Sequence, residues 1–319
     1  LLSRGLGDVY KRQPHPFINM DMEEYRDLDL TIKLFKELMS EDEFMDLEAG
    51  IVLQAYLPDT LDALHELIDF AHERVNKDGA PIKVRIVKGA NLSMERVDSE
   101  IHDWKQTPYL TKAEVDANYL RLLDVALQPE HATAIRIGAA SHNLYTVATA
   151  HELSVQRGVE DQLDIEMLQG MAPAQARAVR QITGTVILYT PVVHAEDFDV
   201  AVSYLVRRLE ENGAHQNFLY ALFAPDVAGD DDMTPMQEQE KRYLNAVNDR
   251  WTTFAGPRRQ QDRRQERSAA DVSKRVESVP GHFVNEPDTD PSLPANREWA
   301  LRWLDHDLSL IHISEPTRQ

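Results

Sequence analysis

The stretch "IKVRIVKGA" (residues 82–90) decides the fold, because it is one of six short β-like runs that recur along the chain. Helical stretches such as "TLDALHELIDFAHERV" (60–75) separate these runs. Strands that alternate with helices in this way predict βα units and a parallel sheet. The other five runs are "FINMDM" (17–22), "GIVLQAYL" (50–57), "IRIGAASHN" (135–143), "LDIEMLQG" (163–170) and "TVILYTPVV" (185–193).

The regular repeat of these units distinguishes between two kinds of α/β fold. A doubly wound sheet usually begins with a glycine-rich turn, and the sequence contains no GxGxxG motif. Regular units with polar residues near the strand ends are more typical of a (βα)8 barrel. The sequence therefore predicts the α/β class and an incomplete (βα)8 TIM-type barrel, in which six of the eight βα units are visible and a linker follows.

A change of composition after Phe254 suggests how the chain is divided. The following stretch, which begins "GPRRQQDRRQERS", is polar, charged and aperiodic, as linkers are. Both ends of the chain connect poorly to their neighbours and are expected to be non-native tails. The predicted parts are a tail (1–13), an N-terminally truncated barrel (14–255), a linker (256–284), the truncated start of a second domain (285–307) and a tail (308–319).

Charge and composition exclude several functions. The formal net charge of −20 repels nucleic acid and anionic lipid, so neither is an expected electrostatic partner. The chain has no cysteine, which removes disulfides, thiolate metal sites and thiol nucleophiles. No histidine spacing supports a metal site, and no apolar run approaches a membrane span. We expect a reduced, cytoplasmic setting.

Polar side chains near the ends of the six runs indicate a site. Barrel strands are buried on both faces, so the charges of Arg85 and Lys88 are costly there unless they are paired or useful. Gly89 and Ala90 follow and are small enough to let a flat ligand approach the backbone. The other polar residues of the runs are Asp21, Glu23, Gln54, Ser141, His142, Asn143, Glu166 and Tyr189.

Each of these residues also has a structural explanation when it is taken alone. His142 fits a hydrogen-bonded core histidine, Asp21 fits a helix N-cap, and Lys88 fits an ion-pair partner of Glu166. Taken together, polar groups at six successive strand ends describe the mouth of a catalytic barrel. Because no nucleophile stands out among them, a bound cofactor that performs the chemistry is the better hypothesis.

The stretch "YLVRRLEENG" (204–213) predicts a helix with two different faces. Tyr204, Arg207, Arg208 and Glu211 share one stripe at helical spacing. The opposite face is apolar and is expected to pack on a core; it carries Val202, Leu205, Val206 and Leu209. The charged stripe fits either a solvated surface or a clamp in which two guanidinium groups grip a carboxylate.

The motifs "INMDMEEYRDLDLT", "VLQAYL", "IKVRIVKGAN", "ASHN", "EMLQGMA", "LYTPVV" and "YLVRRLEENG" occur in this order over about residues 15–224. This series resembles the proline dehydrogenase barrel of the bifunctional proline utilization A flavoenzymes. "FVNEPDTDPSLPANREWA" is similar to the segment that leads into the second domain of that family, an aldehyde dehydrogenase. That domain needs a catalytic cysteine and NAD, so the resemblance implies that its activity is absent from this chain.

The resemblance also implies a reaction and its partners. The barrel would hold FAD noncovalently and oxidise L-proline to Δ1-pyrroline-5-carboxylate, with hydride transfer from C5 of proline to N5 of the flavin. Electrons would pass to a membrane quinone, which places the enzyme in the cytoplasm and, peripherally, at the inner face of the cytoplasmic membrane. The full-length protein would form a homo-oligomer. No metal is implied.

The roles of individual residues follow from matching this sequence to the motifs of the family. The resemblance implies that Arg207 and Arg208 bind the proline carboxylate and that Asp21 orders them. Arg85 would lie near flavin N5, and Asn91 replaces a tyrosine that some relatives carry. The remaining implied substrate contacts are Tyr204, Tyr189 and Leu168, and the implied flavin contacts are Gln54, Arg85, Lys88, Gly89, Ala90, Ser141, His142, Asn143 and Glu211.

Two alternatives stay open at the level of the sequence. The first is another (βα)8 enzyme that binds small acids and uses a phosphate-bearing cofactor. The second is a non-catalytic barrel that serves as a scaffold or binds a partner. The absorbance of a bound flavin separates the first alternative from a proline dehydrogenase, and proline-dependent dye reduction separates the second.

Overall fold

The computed structural model describes residues 17–213, 216–225, 233–265 and 286–304, except for the side chains of residues 203, 207 and 209–212. Both predicted tails and most of the predicted linker lie outside the described residues. The same is true of the side chains of Arg207 and Glu211, to which the resemblance assigns roles.

The sheet contains six parallel strands that are paired in the order in which they occur along the chain. Each of the six predicted runs overlaps one strand, and the sheet curls as an incomplete (βα)8 barrel does, so the predicted fold class is confirmed. The strands are β1 (Ile18–Met20), β2 (Ala49–Gln54), β3 (Ile82–Val87), β4 (Ile135–Ala140), β5 (Leu163–Leu168) and β6 (Ile187–Tyr189).

Ten α-helices connect or follow the strands in the described chain. Local sequence fixes several of their ends: Thr111 and Glu114 form a capping box, and Asn143 accepts from two backbone amides at the next helix start. The helices are α1 (Leu28–Met39), α2 (Thr60–Val75), α3 (Leu92–Ile101), α4 (Lys112–Ala126), α5 (Leu144–Arg157), α6 (Pro173–Thr183), α7 (Phe198–Gly213), α8 (Phe218–Phe223), α9 (Pro235–Asp249) and α10 (Pro294–Leu304).

The two faces of the central strands have different chemistry. In β3, the residues Val84 and Ile86 are fully buried and belong to the core that the helices cover. Each such side chain stabilises the fold by about 1.5–3 kcal/mol through burial. The alternate residues Lys83 and Arg85 point to the opposite face, because successive side chains of a strand alternate. The helices therefore pack on the convex face of the sheet, and the charged side chains lie on its concave face.

The chain beyond the barrel packs back onto it where the structure describes it. Arg259 is buried, pairs with Asp290 at 3.0 Å, and donates to the carbonyl oxygen of Lys105 and to Ser99 Oγ. Trp104 Nε1 donates to the carbonyl oxygen of Asp288 at 2.7 Å. The first ten residues of the predicted linker, 256–265, are thus anchored by their arginines. The domain boundaries themselves stay predictions.

The prediction that the apolar face of α7 packs on a core is wrong for the described side chains. Val202, Leu205 and Val206 are 42%, 56% and 47% exposed. Within the described residues, α7 packs mainly against the short turn that precedes it and against α8, and these contacts leave the three side chains exposed. The helical periodicity was correct, but the partner that an apolar face requires is not in the described chain.

Candidate active site

The carboxyl ends of the strands bring the predicted polar residues to one edge of the sheet. Asp21 follows β1, Gln54 ends β2, Ser141 and His142 follow β4, and Tyr189 ends β6. Because the strands are parallel and neighbouring, these positions form one continuous rim. The rim is the predicted mouth of the barrel.

Charged side chains of alternating sign run along the concave face up to this rim, and we call them the charge ladder. Lys83 Nζ lies 2.8 Å from Asp164 and 2.5 Å from Glu166 Oε1. Glu166 Oε2 lies 4.0 Å from Arg85 Nε, and Arg85 Nη2 contacts the carboxylate of Asp21. In order toward the rim, the ladder consists of Arg136, Asp164, Lys83, Glu166, Arg85 and Asp21.

A glycine in β4 makes room for the centre of the ladder. A Cβ at Gly138 would lie 2.2 Å from Glu166 Oε1 and 3.0 Å from Lys83 Cε. Since real Cβ atoms do not approach other atoms so closely, any larger residue at this position would displace the buried pair. Gly138 therefore provides the space that the Lys83–Glu166 ion pair occupies.

Arg85 is held at the rim on several sides. Its side chain is 11% exposed, and its guanidinium carbon lies 4.5 Å from the centre of the Tyr189 ring. Burial, and then the charge of Glu166, raise the pKa of Tyr189 to about 12, so its phenol stays protonated. Arg85 Nε is buried and has no hydrogen-bond partner among the described residues. A fixed positive charge with one unused donor suits a ligand that gains negative charge.

His142 presents a second unused donor beside Arg85. The backbone amide of Leu168 donates to His142 Nε2 at 2.9 Å, which leaves the proton of a neutral ring on Nδ1. Burial, and then the charge of Arg208, lower the pKa of His142. Nδ1 is buried without a hydrogen-bond partner in the part of the chain that the structure describes. The ring is therefore a neutral donor that can serve an acceptor atom of a ligand.

Lys88 forms an ion pair with Asp116 of α4, not with Glu166 as the structural explanation of this residue had suggested. Its Nζ pairs with Asp116 at 2.5 Å, and Lys112 pairs with the same carboxylate at 2.7 Å. The partner of Glu166 is Lys83, so the suggestion that Lys88 pairs with Glu166 is wrong. Burial and the charge of Lys88 lower the pKa of Lys112 to about 8. Two ammonium groups that share one carboxylate leave net positive charge at this side of the rim.

Position 89 requires glycine for two reasons, its backbone dihedral angle and the close approach of a neighbouring ring. Its φ is +118°, and a Cβ there would lie 2.5 Å from the ring of Tyr56. Side chains rarely adopt this φ, so the tight turn after β3 needs glycine. The glycine thus lets the ring of Tyr56 pack directly on this turn.

Two predicted site residues also have structural partners. Gln54 Nε2 donates to the carbonyl oxygens of Met22 and Glu23 at 3.0 and 3.1 Å. Asn91 Nδ2 donates to the carbonyl oxygen of Glu23 at 2.9 Å. Both amides thereby fix the chain that leaves β1, which carries Asp21 to its contact with Arg85.

Residues of the β4–α5 connection show the same double use. Ser141 Oγ accepts from the backbone amide of Asn143, and Asn143 Oδ1 accepts from those of Tyr145 and Thr146. The turn is thus held by its own side chains, and it positions His142. Asn143 acts here as the N-cap of α5, which is a structural role beside the predicted one.

Helix α7 contributes Tyr204 and Arg208. The guanidinium carbon of Arg208 lies 4.8 Å from the centre of the Tyr204 ring. Tyr204 and Arg208 therefore share one side of the helix, as their spacing predicted, whereas the side chains of Arg207 and Glu211 lie outside the described set. The charge of Arg208 contributes, after burial, to the lowered pKa of His142.

Sequence reasoning missed five charged residues of the site: Lys83, Asp164 and Arg136 of the charge ladder, and Lys112 and Asp116 of α4. Lys83 precedes Arg85 by two residues, and this spacing puts both on one face of a strand. Asp116 and Lys112 are four residues apart on α4, a spacing that predicts a helical ion pair. The spacing of these residues could have indicated both pairs. It could not have shown that α4 faces the carboxyl end of β3, because that depends on the tertiary fold.

Residues at the rim fit a flavin. Arg85 Nε and His142 Nδ1 are buried donors that lack hydrogen-bond partners within the described chain. Lys88 adds positive charge that suits a phosphate-bearing group. For metals, no cluster of three or more candidate ligands occurs among the described residues.

The proline dehydrogenase family model matches residues 9–221 of the chain. "Bifunctional protein PutA" of Escherichia coli is 30% identical over 219 residues, which cover 63% of this chain and 15% of that protein. "Proline dehydrogenase" of Deinococcus radiodurans is 26% identical over 204 residues, covering 64% of this chain and 56% of that protein. This chain thus spans about one seventh of the length of the Escherichia coli relative.

Solved structures give the same result. Proline utilization A from Corynebacterium freiburgense superimposes with a TM-score of 0.76 and 54% identity, over 94% of this chain and 27% of that one. Proline utilization A from Bdellovibrio bacteriovorus, described as inactivated by N-propargylglycine, superimposes with a TM-score of 0.70 and 30% identity, over 91% and 26%. The family match covers more than half of the chain, and the curled parallel sheet of an incomplete barrel agrees with it. The chain belongs to the proline dehydrogenase family.

Proposed function

We propose that the protein oxidises L-proline to Δ1-pyrroline-5-carboxylate with FAD held at the rim of the barrel. The observation that carries this proposal is a pair of buried donors, Arg85 Nε on β3 and His142 Nδ1 after the neighbouring β4, that make no hydrogen bond to any described residue. The family match supports proline as the substrate. FAD, when bound, accepts a hydride from C5 of proline and passes the electrons to a quinone.

The residues of the chain have separate tasks in this reaction. Arg85 stabilises the negative charge that the flavin gains, because its guanidinium is fixed by Asp21 before the reaction begins. His142 donates from Nδ1 to an acceptor atom of the flavin, and Lys88 attracts its phosphates. Gln54, Ser141 and Asn143 hold the turns that carry these groups, and the backbone of Gly89 and Ala90 lines the flavin site.

Helix α7 supplies the substrate side of the proposed site. Arg207 and Arg208 bind the proline carboxylate through paired N–H donors, which a planar guanidinium arranges in a fixed fork. Tyr204, Tyr189 and Leu168 form apolar walls around the pyrrolidine ring and exclude water. Asp21 orders the arginine pair, and Glu211 lies close to the flavin.

The remaining parts of the proposal concern the complete protein. We propose a cytoplasmic, homo-oligomeric enzyme that meets its quinone at the membrane surface. No helix in the described part of the chain has the length and hydrophobicity to cross a bilayer. NAD belongs only to an aldehyde dehydrogenase domain, of which residues 285–307 are the proposed beginning.

The test uses the complete gene product that contains this chain. We expect purified protein to show the absorbance of bound FAD and to reduce a dye when L-proline is added. Pyrroline-5-carboxylate should accumulate in proportion to the reduced dye. A protein without flavin would favour the alternative with a different phosphate-bearing cofactor. A flavin-containing protein that proline does not reduce would favour the non-catalytic scaffold.

A further inference from the structure

The inner part of the charge ladder has no task in the proposed reaction. Lys83 and Glu166 have side chains that are 4% and 0% exposed, at positions where barrels usually carry Val, Ile or Leu. Apolar residues in place of a buried ion pair are often equally or more stabilising. The stability of the fold therefore does not explain why Lys83 and Glu166 are charged, and their location suggests another role.

Glu166 lies between the interior and the rim. Its Oε1 is 2.5 Å from Lys83 Nζ, whereas its Oε2 faces Arg85 Nε at 4.0 Å. The space for this arrangement exists only because residue 138 is glycine. The carboxylate thus pairs closely with the buried ammonium and lies within ion-pair range of the one guanidinium that we place beside the flavin.

The charge of Glu166 acts on groups at the rim. It contributes, after burial, to the raised pKa of Tyr189, whose ring stacks on Arg85. It contributes in the same way to the raised pKa of Tyr119, which lies beneath the rim. A charge that changes the pKa of neighbouring phenols also changes the potential that any bound group experiences.

We propose that Glu166 sets the redox potential of the flavin by partly neutralising Arg85, and that Lys83 anchors Glu166 for this purpose. The inference rests on the proposed function, because it requires a flavin beside Arg85. Reduction adds negative charge to the flavin, so a positive neighbour raises its potential and a negative neighbour lowers it. Glu166 is a positioning and tuning residue: it acts through Arg85.

The sign of this effect can be measured in single variants of the complete gene product. Glu166→Gln keeps the shape of the side chain and removes its charge, so the midpoint potential should become more positive. The equilibrium constant for flavin reduction should rise about tenfold, which is the effect of one unit charge at roughly 10 Å in a protein interior. Lys83→Met should shift the midpoint potential in the negative direction.

A double variant separates tuning from structural support. Lys83→Met combined with Glu166→Gln removes one charge of each sign, so its potential should return toward that of the parent. The difference between this double variant and Lys83→Met measures the effect of Glu166 again, even if Glu166→Gln alone folds poorly. Asp164→Asn is the matched control, because Asp164 shares Lys83 but lies one step farther from Arg85. It should give a smaller shift.

The outcomes distinguish this inference from the proposed function. A parent protein without flavin would overturn both. If the parent binds flavin and proline reduces it, but the potential of Glu166→Gln is unchanged or more negative, only the present inference fails. Equal shifts for Asp164→Asn and Glu166→Gln would also overturn it, because the effect would then not depend on contact with Arg85. Spectroelectrochemistry gives the potentials, and thermal unfolding reports any purely structural effect.

Discussion

The candidate site is built from two regions that differ in how completely the described chain buries them. The strand region comprises β2–β5 with the charge ladder, and side chains there such as Ile51, Val84 and Ile137 have no exposed surface. The helix region comprises β6 and α7, where Leu188 is 48% exposed and Leu205 is 56% exposed. The strand region completes its own packing, whereas the helix region presents an apolar surface that no described element covers.

This difference indicates how firmly each part of the site is held. Groups on buried strands keep their geometry because packing and ion pairs lock their rotamers. Arg85 is such a group, whereas Arg208 is carried by a helix with an uncovered face. We therefore expect residues of the strand region to govern the chemical step and residues of α7 to govern substrate binding.

A pair of leucine substitutions tests the packing contrast and has the largest expected effect. Leu64 is fully buried in α2, so Leu64→Ala should lower the free energy of unfolding by about 2–5 kcal/mol. Leu205→Ala should change it by about 0.5 kcal/mol or less, since surface substitutions usually do. Denaturant unfolding of the complete gene product measures both. Similar losses would show that the complete protein covers α7.

The next prediction concerns the chemical step in the strand region. Arg85→Met preserves most of the side-chain volume but removes the charge that stabilises the reduced flavin. We expect kcat to fall by about 10²–10³, as it does when one such electrostatic donor is lost. Steady-state kinetics with proline measures this, and flavin content is the control. An unchanged kcat with flavin bound would leave Arg85 a purely structural residue of the ladder.

A third prediction concerns substrate binding by α7. Arg208→Met should raise KM for proline on the order of a hundredfold and change kcat less, because the carboxylate is held in both the ground state and the transition state. Lysine at this position should restore binding only partly, since an ammonium cannot form the two-pronged contact. Pyrrolidine, which lacks the carboxylate, is the control substrate. Equal losses for proline and pyrrolidine would contradict the clamp and favour the solvated-face explanation.

The smallest expected effect is the pH dependence of stability that His142 contributes. Its pKa in the folded state is lowered by burial and by Arg208, while the unfolded chain titrates near 6.5. Its contribution is therefore present above about pH 6.5 and is lost as the pH falls, because the unfolded state binds the proton more readily. His142→Gln should show a weaker fall in thermal midpoint between about pH 7 and pH 5 than the parent. Identical slopes would show that His142 does not titrate as inferred.

The sequence predicted the strands well and the edges of the sheet less well. The runs at 50–57, 82–90 and 135–143 each coincide, to within one residue at the start, with a six-residue strand, because β-branched and apolar residues there meet partners on both sides. The runs at 17–22 and 185–193 shorten to three residues each, since they pair on one side only within the described sheet. Periodicity identifies a strand, but neighbours decide its length.

The site was predictable where chemistry is local and was missed where it depends on tertiary contacts. The rim residues Arg85 and His142 were identified because charge and imidazole at a strand end are costly without a purpose. Lys83 alternates with apolar residues and was overlooked, since its importance lies in contacts to Asp164 and Glu166 some 80 residues later. The exposed face of α7 could not be anticipated, because helical periodicity does not reveal which element covers a face.

The division of labour between the two regions is tested most directly by rapid mixing of the oxidised complete gene product with proline in the absence of oxygen. The limiting rate of flavin bleaching reports the chemical step, and the proline concentration at half that rate reports binding. We predict that Arg85→Met lowers the limiting rate and leaves the half-saturating concentration nearly unchanged, whereas Arg208→Met does the reverse. If both variants changed the same parameter to a similar extent, the strand region and α7 would act as one unit and the account would be contradicted.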